Sequence, residues 1–193
     1  RAALMLADAV VPWIEVGEYD RAERAAARAW ELPWPRGGHT ELALSLTFGD
    51  ALAARGRFPE AIELWLSGAE VPANEDPEAL SRIAEAIFSA GEHERARAAA
   101  EQAVERAREC SALGVLTVSL GVQVFAELRT GRLRAAAGAA AEAVNLVRAL
   151  GQQGELGDAL GRLAWVEAML GREEECRQHA AEGTELLAGI GYD

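Results

Sequence analysis

Apolar residues recur at helical spacing along almost the whole chain, in stretches that each stop at a glycine and resume a few residues later. Five glycines mark the stops: Gly17, Gly56, Gly91, Gly131 and Gly171. Eleven positions before them stand Leu6, Ser45, Leu80, Leu120 and Leu160; seven before them stand Val10, Gly49, Ala84, Val124 and Ala164. These two columns lie on one face of a helix and form its buried stripe. After each glycine a second helix begins. Its fifth position carries Ala22, Ala61, Ala96, Ala136 and Cys176, and its twelfth carries Ala29, Gly68, Ala103, Ala143 and Gly183. Small residues seven apart share a face and let two helix backbones approach closely. The pattern predicts five helix pairs: 2–16 with 20–32, 40–55 with 59–69, 76–90 with 94–110, 115–130 with 134–150, and 155–170 with 174–189. Glycine at each turn supplies the left-handed backbone that ends a helix at little cost.

Breaks between pairs carry loop chemistry at Pro33–Gly38, Pro72–Pro77 and Gly151–Gly154. The break near Ser111–Gly114 rests on its alignment with Gly151–Gly154. The repeat boundaries fall at about 1–38, 39–75, 76–112, 113–152 and 153–193, within one helical-repeat domain. Gly157 and Gly161, four apart on a helix, suggest close backbone packing.

Composition strengthens this picture. The chain has 193 residues with 42 alanines and only 6 prolines, which favours helix throughout. There is no lysine, so all 19 basic residues are arginine. A phosphate-binding P-loop, a Schiff-base lysine and a kinase lysine are therefore excluded. The net charge of −12 opposes binding to phosphate backbones. No apolar run reaches the roughly 18 residues that span a bilayer. No targeting segment is visible, so a cytoplasmic location is expected, with Cys110 and Cys176 as buried thiols.

The chemistry of catalysis is not found. His93-Glu-Arg-Ala-Arg97 begins like a zinc-binding HExxH helix, but Arg97 stands where the second histidine belongs. His39, His93 and His179 lie in different repeats, so no metal site is expected and each reads as solvated or capping. Gly154, Gly157 and Gly161 do not make a dinucleotide fingerprint. With no nucleophile–base pair at a recognisable spacing, the chain reads as a non-enzyme without cofactors.

The segments Gly17–Ala29 and Gly56–Gly68, with their Gly, Tyr/Phe, Ala and second small residue, resemble the tetratricopeptide repeat, a helix-turn-helix unit of about 34 residues. Trp65 falls at that repeat's aromatic position in the second helix. Units here are longer, at 35–40 residues, and Ala100, Ala140 and Ala180 replace the aromatic. The stretch Leu163–Glu182 resembles the helical arrays of bacterial LuxR-type regulators that carry a large ATP-binding domain. The resemblance implies an all-α, right-handed superhelical solenoid of five repeats, excised from a longer protein. It implies a protein or peptide, or neighbouring domains of the parent chain, as partner, with a small-molecule effector as a further possibility. The net charge and the lack of a spanning apolar run, rather than the resemblance, imply no nucleic-acid or membrane contact by this segment. Alternatives are a cytosolic scaffold and a small-molecule-binding array.

In the repeat resembled, the first helix of each pair lines a concave groove. Its groove column, six before each glycine, carries over to Val11, Asp50, Glu85, Phe125 and Trp165. The column two before gives Glu15, Ala54, Ser89, Arg129 and Met169. The candidate binding residues are thus Asp50, Glu85, Phe88, Phe125, Arg129, Trp165 and Met169, with Leu128 beside them. The alternative role for Phe125 and Trp165 is packing between neighbouring first helices.

Overall fold

Five times along the chain a helix ends in one particular turn. Gly17, Gly56, Gly91, Gly131 and Gly171 adopt φ between 74° and 88°, which an L side chain rarely accepts. The next residue's N–H then reaches back five residues to a carbonyl: Arg57 to Leu52 at 2.9 Å, Arg132 to Glu127 at 2.8 Å and Arg172 to Glu167 at 2.9 Å. This satisfies a carbonyl that the finished helix leaves without a partner.

The computed structural model describes residues 2–34, 38–69 and 76–189. Its helices are α1 (Ala2–Ala7), α2 (Val10–Glu15), α3 (Tyr19–Glu31), α4 (Gly38–Ala54), α5 (Phe58–Ala69) and α6 (Pro77–Ser89). They continue with α7 (His93–Glu109), α8 (Leu113–Arg129), α9 (Leu133–Leu150), α10 (Gln153–Met169) and α11 (Glu173–Gly189). No strand occurs among the described residues. The chain is an all-α solenoid of helix-turn-helix units. The expected breaks at Pro33–Gly38 and Pro72–Pro77 fall largely outside the described residues.

The turn from α7 to α8 is the same kind as that from α9 to α10. Gly151 has φ 71° and Ser111 has φ 54°, the one non-glycine residue with positive φ among those described. The aligned break at 111–114 is therefore real, but it lacks its glycine.

The first helix differs from expectation. The reading 2–16 as one helix is corrected to α1 and α2, separated by Asp8 and Ala9. Pro12 is the cause. It has no N–H to donate to the Asp8 carbonyl four residues back, and its ring crowds that carbonyl.

Small residues decide how closely each pair packs. Ala22, Ala61, Ala96 and Ala136 are fully buried, as are Ala29 and Ala103. A Cβ on Gly68 would lie 2.9 Å from Ser45 Cβ, and one on Gly183 would lie 3.0 Å from the Gly157 carbonyl oxygen. Gly157 thus packs closely on α11, as its sequence position suggests. Gly161 takes part through its backbone, its N lying 3.7 Å from where a Gly183 Cβ would be, although a Cβ on Gly161 itself would meet nothing within 4 Å. The second repeat exchanges sizes. Trp65 stands where α3, α7 and α9 have Ala26, Ala100 and Ala140, and Gly49 stands where α2 and α8 have Val10 and Val124. A Cβ on Gly49 would come within 2.2 Å of Trp65 Nε1.

The thiols are also corrected. Cys110 is exposed at the end of α7, and Cys176 is only half-buried. Cys176 lies on α11, whose outer side has no further described helix against it.

The odd-sided arrangement of contacts sets the shape. The first helices of successive pairs touch one another, α4 on α6, α6 on α8, and α8 on α10. The second helices pack on both neighbouring first helices, α7 on α6 and α8, α9 on α8 and α10. The backbones of α5 and α7, α7 and α9, and α9 and α11 do not approach comparably, and it is long side chains that bridge these second helices. Converging first helices and diverging second helices make an arc whose inner side is α1, α2, α4, α6, α8 and α10. On the outer side, Arg108 pairs with Glu142 at 2.7 Å and Arg148 with Glu182 at 2.6 Å, the same contact one repeat apart.

Candidate interaction groove

Each first helix turns one face to the inside of the arc. Counting back from the stop glycine by helical steps gives the residues on that face: two, six, nine and thirteen before it. The nine-before column is Asp8, Thr47, Arg82, Val122 and Arg162; the thirteen-before column is Leu4, Ala43, Glu78, Val118 and Asp158. All ten line one of three clefts on this face. The clefts measure about 390 Å³ across α1, α2, α4 and α6, about 260 Å³ between α6 and α8, and about 390 Å³ across α6, α8, α9 and α10. Glu78 and Arg82 line both the first and the second, and Glu85 and Val118 both the second and the third. The three are therefore one groove running along the array.

At the α10 end the groove is aromatic. The rings of Phe88 and Phe125 lie 6.0 Å apart at 32°, and those of Phe125 and Trp165 lie 5.7 Å apart at 56°. One aromatic residue from each of three successive first helices thus makes a continuous ladder. Phe88 and Phe125 are half-buried, while Trp165 is 48% exposed and Met169 is 56% exposed. The ladder packs neighbouring helices together and also presents ring surface to the groove. Arg162 places its guanidinium carbon 5.9 Å from the Phe125 ring centre. Gly121 leaves room for it, since a Cβ there would lie 3.2 Å from the guanidinium.

His93 extends the ladder outward, its ring 5.1 Å from Phe88. The expectation that His93 is solvated is corrected: the ring is half-buried, and Arg129 Nε donates to its Nε2 at 3.4 Å. Arg129 is thus held at the margin of the ladder.

Toward the middle the groove is acidic. Asp50 sits behind Arg82, which donates to it at 3.4 Å. Burial pushes the Asp50 carboxyl above its ordinary value. Arg82 and a hydrogen bond from Trp65 oppose that shift, and the neighbouring charge of Glu85 adds to it.

Of the seven residues chosen from sequence, the structure brings Phe88, Phe125 and Trp165 into ring contact and places Glu85 in two clefts. Asp50, Arg129, Trp165 and Met169 line none of the three clefts. Sequence reasoning missed Arg82, Val118, Asp158 and Arg162. The signal was present: continuing the six-before column by one step of three and one of four reaches all of them.

The site's chemistry is that of contact. Its side chains offer apolar rings, carboxylates and guanidinium groups. Buried polar pairing elsewhere, such as Glu167 with His179 Nδ1 at 2.8 Å, lies outside the groove. No three His, Cys, Asp or Glu residues converge as metal ligands among the described residues.

No protein-family profile matches the chain, and no curated protein matches it by sequence. Its fold does match solved structures. A putative kinesin light chain from Podosopora anserina, with nearly identical TPR-like repeats, superposes with a TM-score of 0.82 at 16% identity, over 98% of this chain and 96% of that one. BtubC (BKLC) from P. vanneervenii gives 0.79 at 14% identity, over 95% and 79%. A Rap protein complexed with competence and sporulation factor gives 0.62 at 12% identity, over 97% and 66%. At such identities the likeness is one of fold: this chain is a TPR-like helical solenoid.

Proposed function

We propose that the array is a protein-interaction module whose inner groove docks a segment of a partner or of its own parent chain. One observation carries this reading: the groove is continuous, is lined by the Phe88 and Phe125 rings, and has the exposed Trp165 ring packed at its margin, beside carboxylates without a counter-charge among the described residues. Trp165 and Met169 are large side chains of the kind that anchor interfaces. A Rap protein of the same fold holds competence and sporulation factor, which supports binding as this architecture's use.

The experiment is selection of peptides from a displayed random library on the wild-type chain. The double variant Phe125→Ala with Trp165→Ala should then weaken the selected peptide by more than about 2 kcal/mol. Thermal melting is measured beside it, because truncating buried aromatic surface also costs stability, roughly 3–5 kcal/mol when burial is complete. Lost stability with undiminished affinity in the folded fraction would assign both rings to packing alone and overturn the reading.

The wider context we propose is a LuxR-type transcriptional regulator, with this array as its interaction or effector-sensing segment and no catalysis in it. The sequence of Leu163–Glu182 supports that context. The open reading frame tests it: an ATP-binding domain before the array and a helix-turn-helix domain after it are expected, and their absence would favour a scaffold protein. No helix among the described residues is long and apolar enough to cross a membrane; a cytoplasmic location belongs to the same proposal. A small-molecule effector is the second reading, favoured by the cleft of about 390 Å³ across α6, α8, α9 and α10.

A further inference from the structure

We infer that the groove docks a segment of a partner protein that carries an arginine side chain. Its guanidinium enters the cleft across α6, α8 and α10, whose lining includes the Phe88 and Phe125 rings and the carboxylates of Glu85 and Glu155. This rests on the groove being a docking surface and adds the chemistry of what it accepts.

The first argument is charge. Six carboxylates line the three clefts, against two arginines. Both arginines already face an acid: Arg82 lies 3.4 Å from Asp50, and Arg162 lies 3.9 Å from Asp158. Among the described residues, Glu78, Glu85 and Glu155 have no such counter-charge. Glu85 also acts on the neighbouring Asp50 carboxyl, adding a little to the rise that burial causes there. A cleft with low-dielectric walls concentrates such a field and draws a cation inward. An acidic segment would instead add like charge to an already unbalanced site.

The second argument is the aromatic wall. A ring face attracts cations, and a guanidinium can lie flat on it while its N–H groups reach carboxylates at the edge. The chain makes this arrangement once with its own residue: Arg162 lies over Phe125 with Asp158 beside it. Phe88 offers a second ring 6.0 Å away, and no arginine of this chain stacks on it among the described residues. The cleft volume of about 390 Å³ leaves space for an incoming side chain. Arginine is favoured over lysine because the ammonium is a compact, strongly hydrated charge without a planar face.

The test uses fluorescence anisotropy with a short labelled peptide alternating leucine and arginine. Two counterparts replace arginine by citrulline, which keeps the shape and loses the charge, or by glutamate. The arginine peptide should bind at least about tenfold more tightly than the citrulline peptide, and the glutamate peptide should not bind. Glu85→Gln with Glu155→Gln should remove most of that tenfold preference. Glu105→Gln with Glu185→Gln, an equal loss of charge away from the groove, should leave it. Equal binding of the arginine and citrulline peptides overturns the arginine inference and leaves groove docking standing. An equal loss in both double variants reveals diffuse attraction to a chain of net charge −12 and overturns the inference as well. Absence of binding by any of the peptides also overturns it, while groove docking is still judged separately by the library-selected peptide and the Phe125/Trp165 variant.

Discussion

Gly49 and Trp65 show how one residue constrains another across a helix pair. The indole fills the space that a side chain at position 49 would occupy, and Trp65 is only 2% exposed. Gly49→Ala should therefore destabilise by about 1–3 kcal/mol through overpacking. Trp65→Ala should cost about 3–5 kcal/mol through the cavity it leaves. Because the two changes act on the same space, their combination should cost less than the sum, which a double-mutant cycle in urea melts measures. Strict additivity would mean that the contact is not limiting. Glu127 makes a different case. It is 3% exposed in α8, with Arg132 3.9 Å away and with Arg97, Glu94 and Glu101 on α7 facing it. Burial raises its carboxyl above the ordinary 4.5, against the pull of Arg97 and Arg132. A raised folded-state value means that the folded chain holds this proton more tightly than the unfolded chain. The group's effect is then most favourable below the unfolded value and is lost as pH rises through the folded one. Glu127→Gln should accordingly raise the melting temperature at neutral pH, and the gain should fade below about pH 4.5. A gain that is the same at both pH values would show that ionisation of Glu127 is not its cause.

Helix pairs stand on the small-residue columns, which fix how near two backbones come. Ala96 and Ala136 are fully buried at the fifth position after their glycines. Ala96→Leu and Ala136→Leu should each destabilise by roughly 1–3 kcal/mol. Ala135, next to Ala136 in α9, is exposed, and Ala135→Leu should stay within about 0.5 kcal/mol of wild type. Urea melts of the three variants check this together; three equal values would mean that the assigned buried face is wrong. The helices themselves were legible from their periodicity and their stop glycines. The division of the first into α1 and α2 was also legible in principle, because Pro12 stands in the sequence. Apolar periodicity outweighed it, since Leu6, Val10 and Ile14 continue the stripe across the break.

For the molecule as a whole, charge governs what can approach. At a net charge of −12 the chain should not shift duplex DNA in a gel near physiological salt at micromolar protein. A salt-sensitive shift would contradict a groove that selects among protein segments by its acids.

The spacing of glycines, alanines and apolar residues along the chain was enough to set five helix pairs, their turns and their buried faces. These features depend on neighbours within one pair, where a helix of 3.6 residues per turn converts sequence spacing directly into position. The columns also marked the inner face, because repeats of 35–40 residues return equivalent positions to equivalent places. Only the stacking of pairs decided the rest. Phe88, Phe125 and Trp165 come from three different repeats, and nothing local states that their rings meet. Arg162 lies on Phe125 against Gly121 of the adjacent helix, where a Cβ would crowd its guanidinium. His93 looked like a surface residue until Phe88 packed against it, and Cys176 looked buried although no further described helix covers α11. In each case the deciding partner lies in another helix, at a distance and angle that the packed side chains set together.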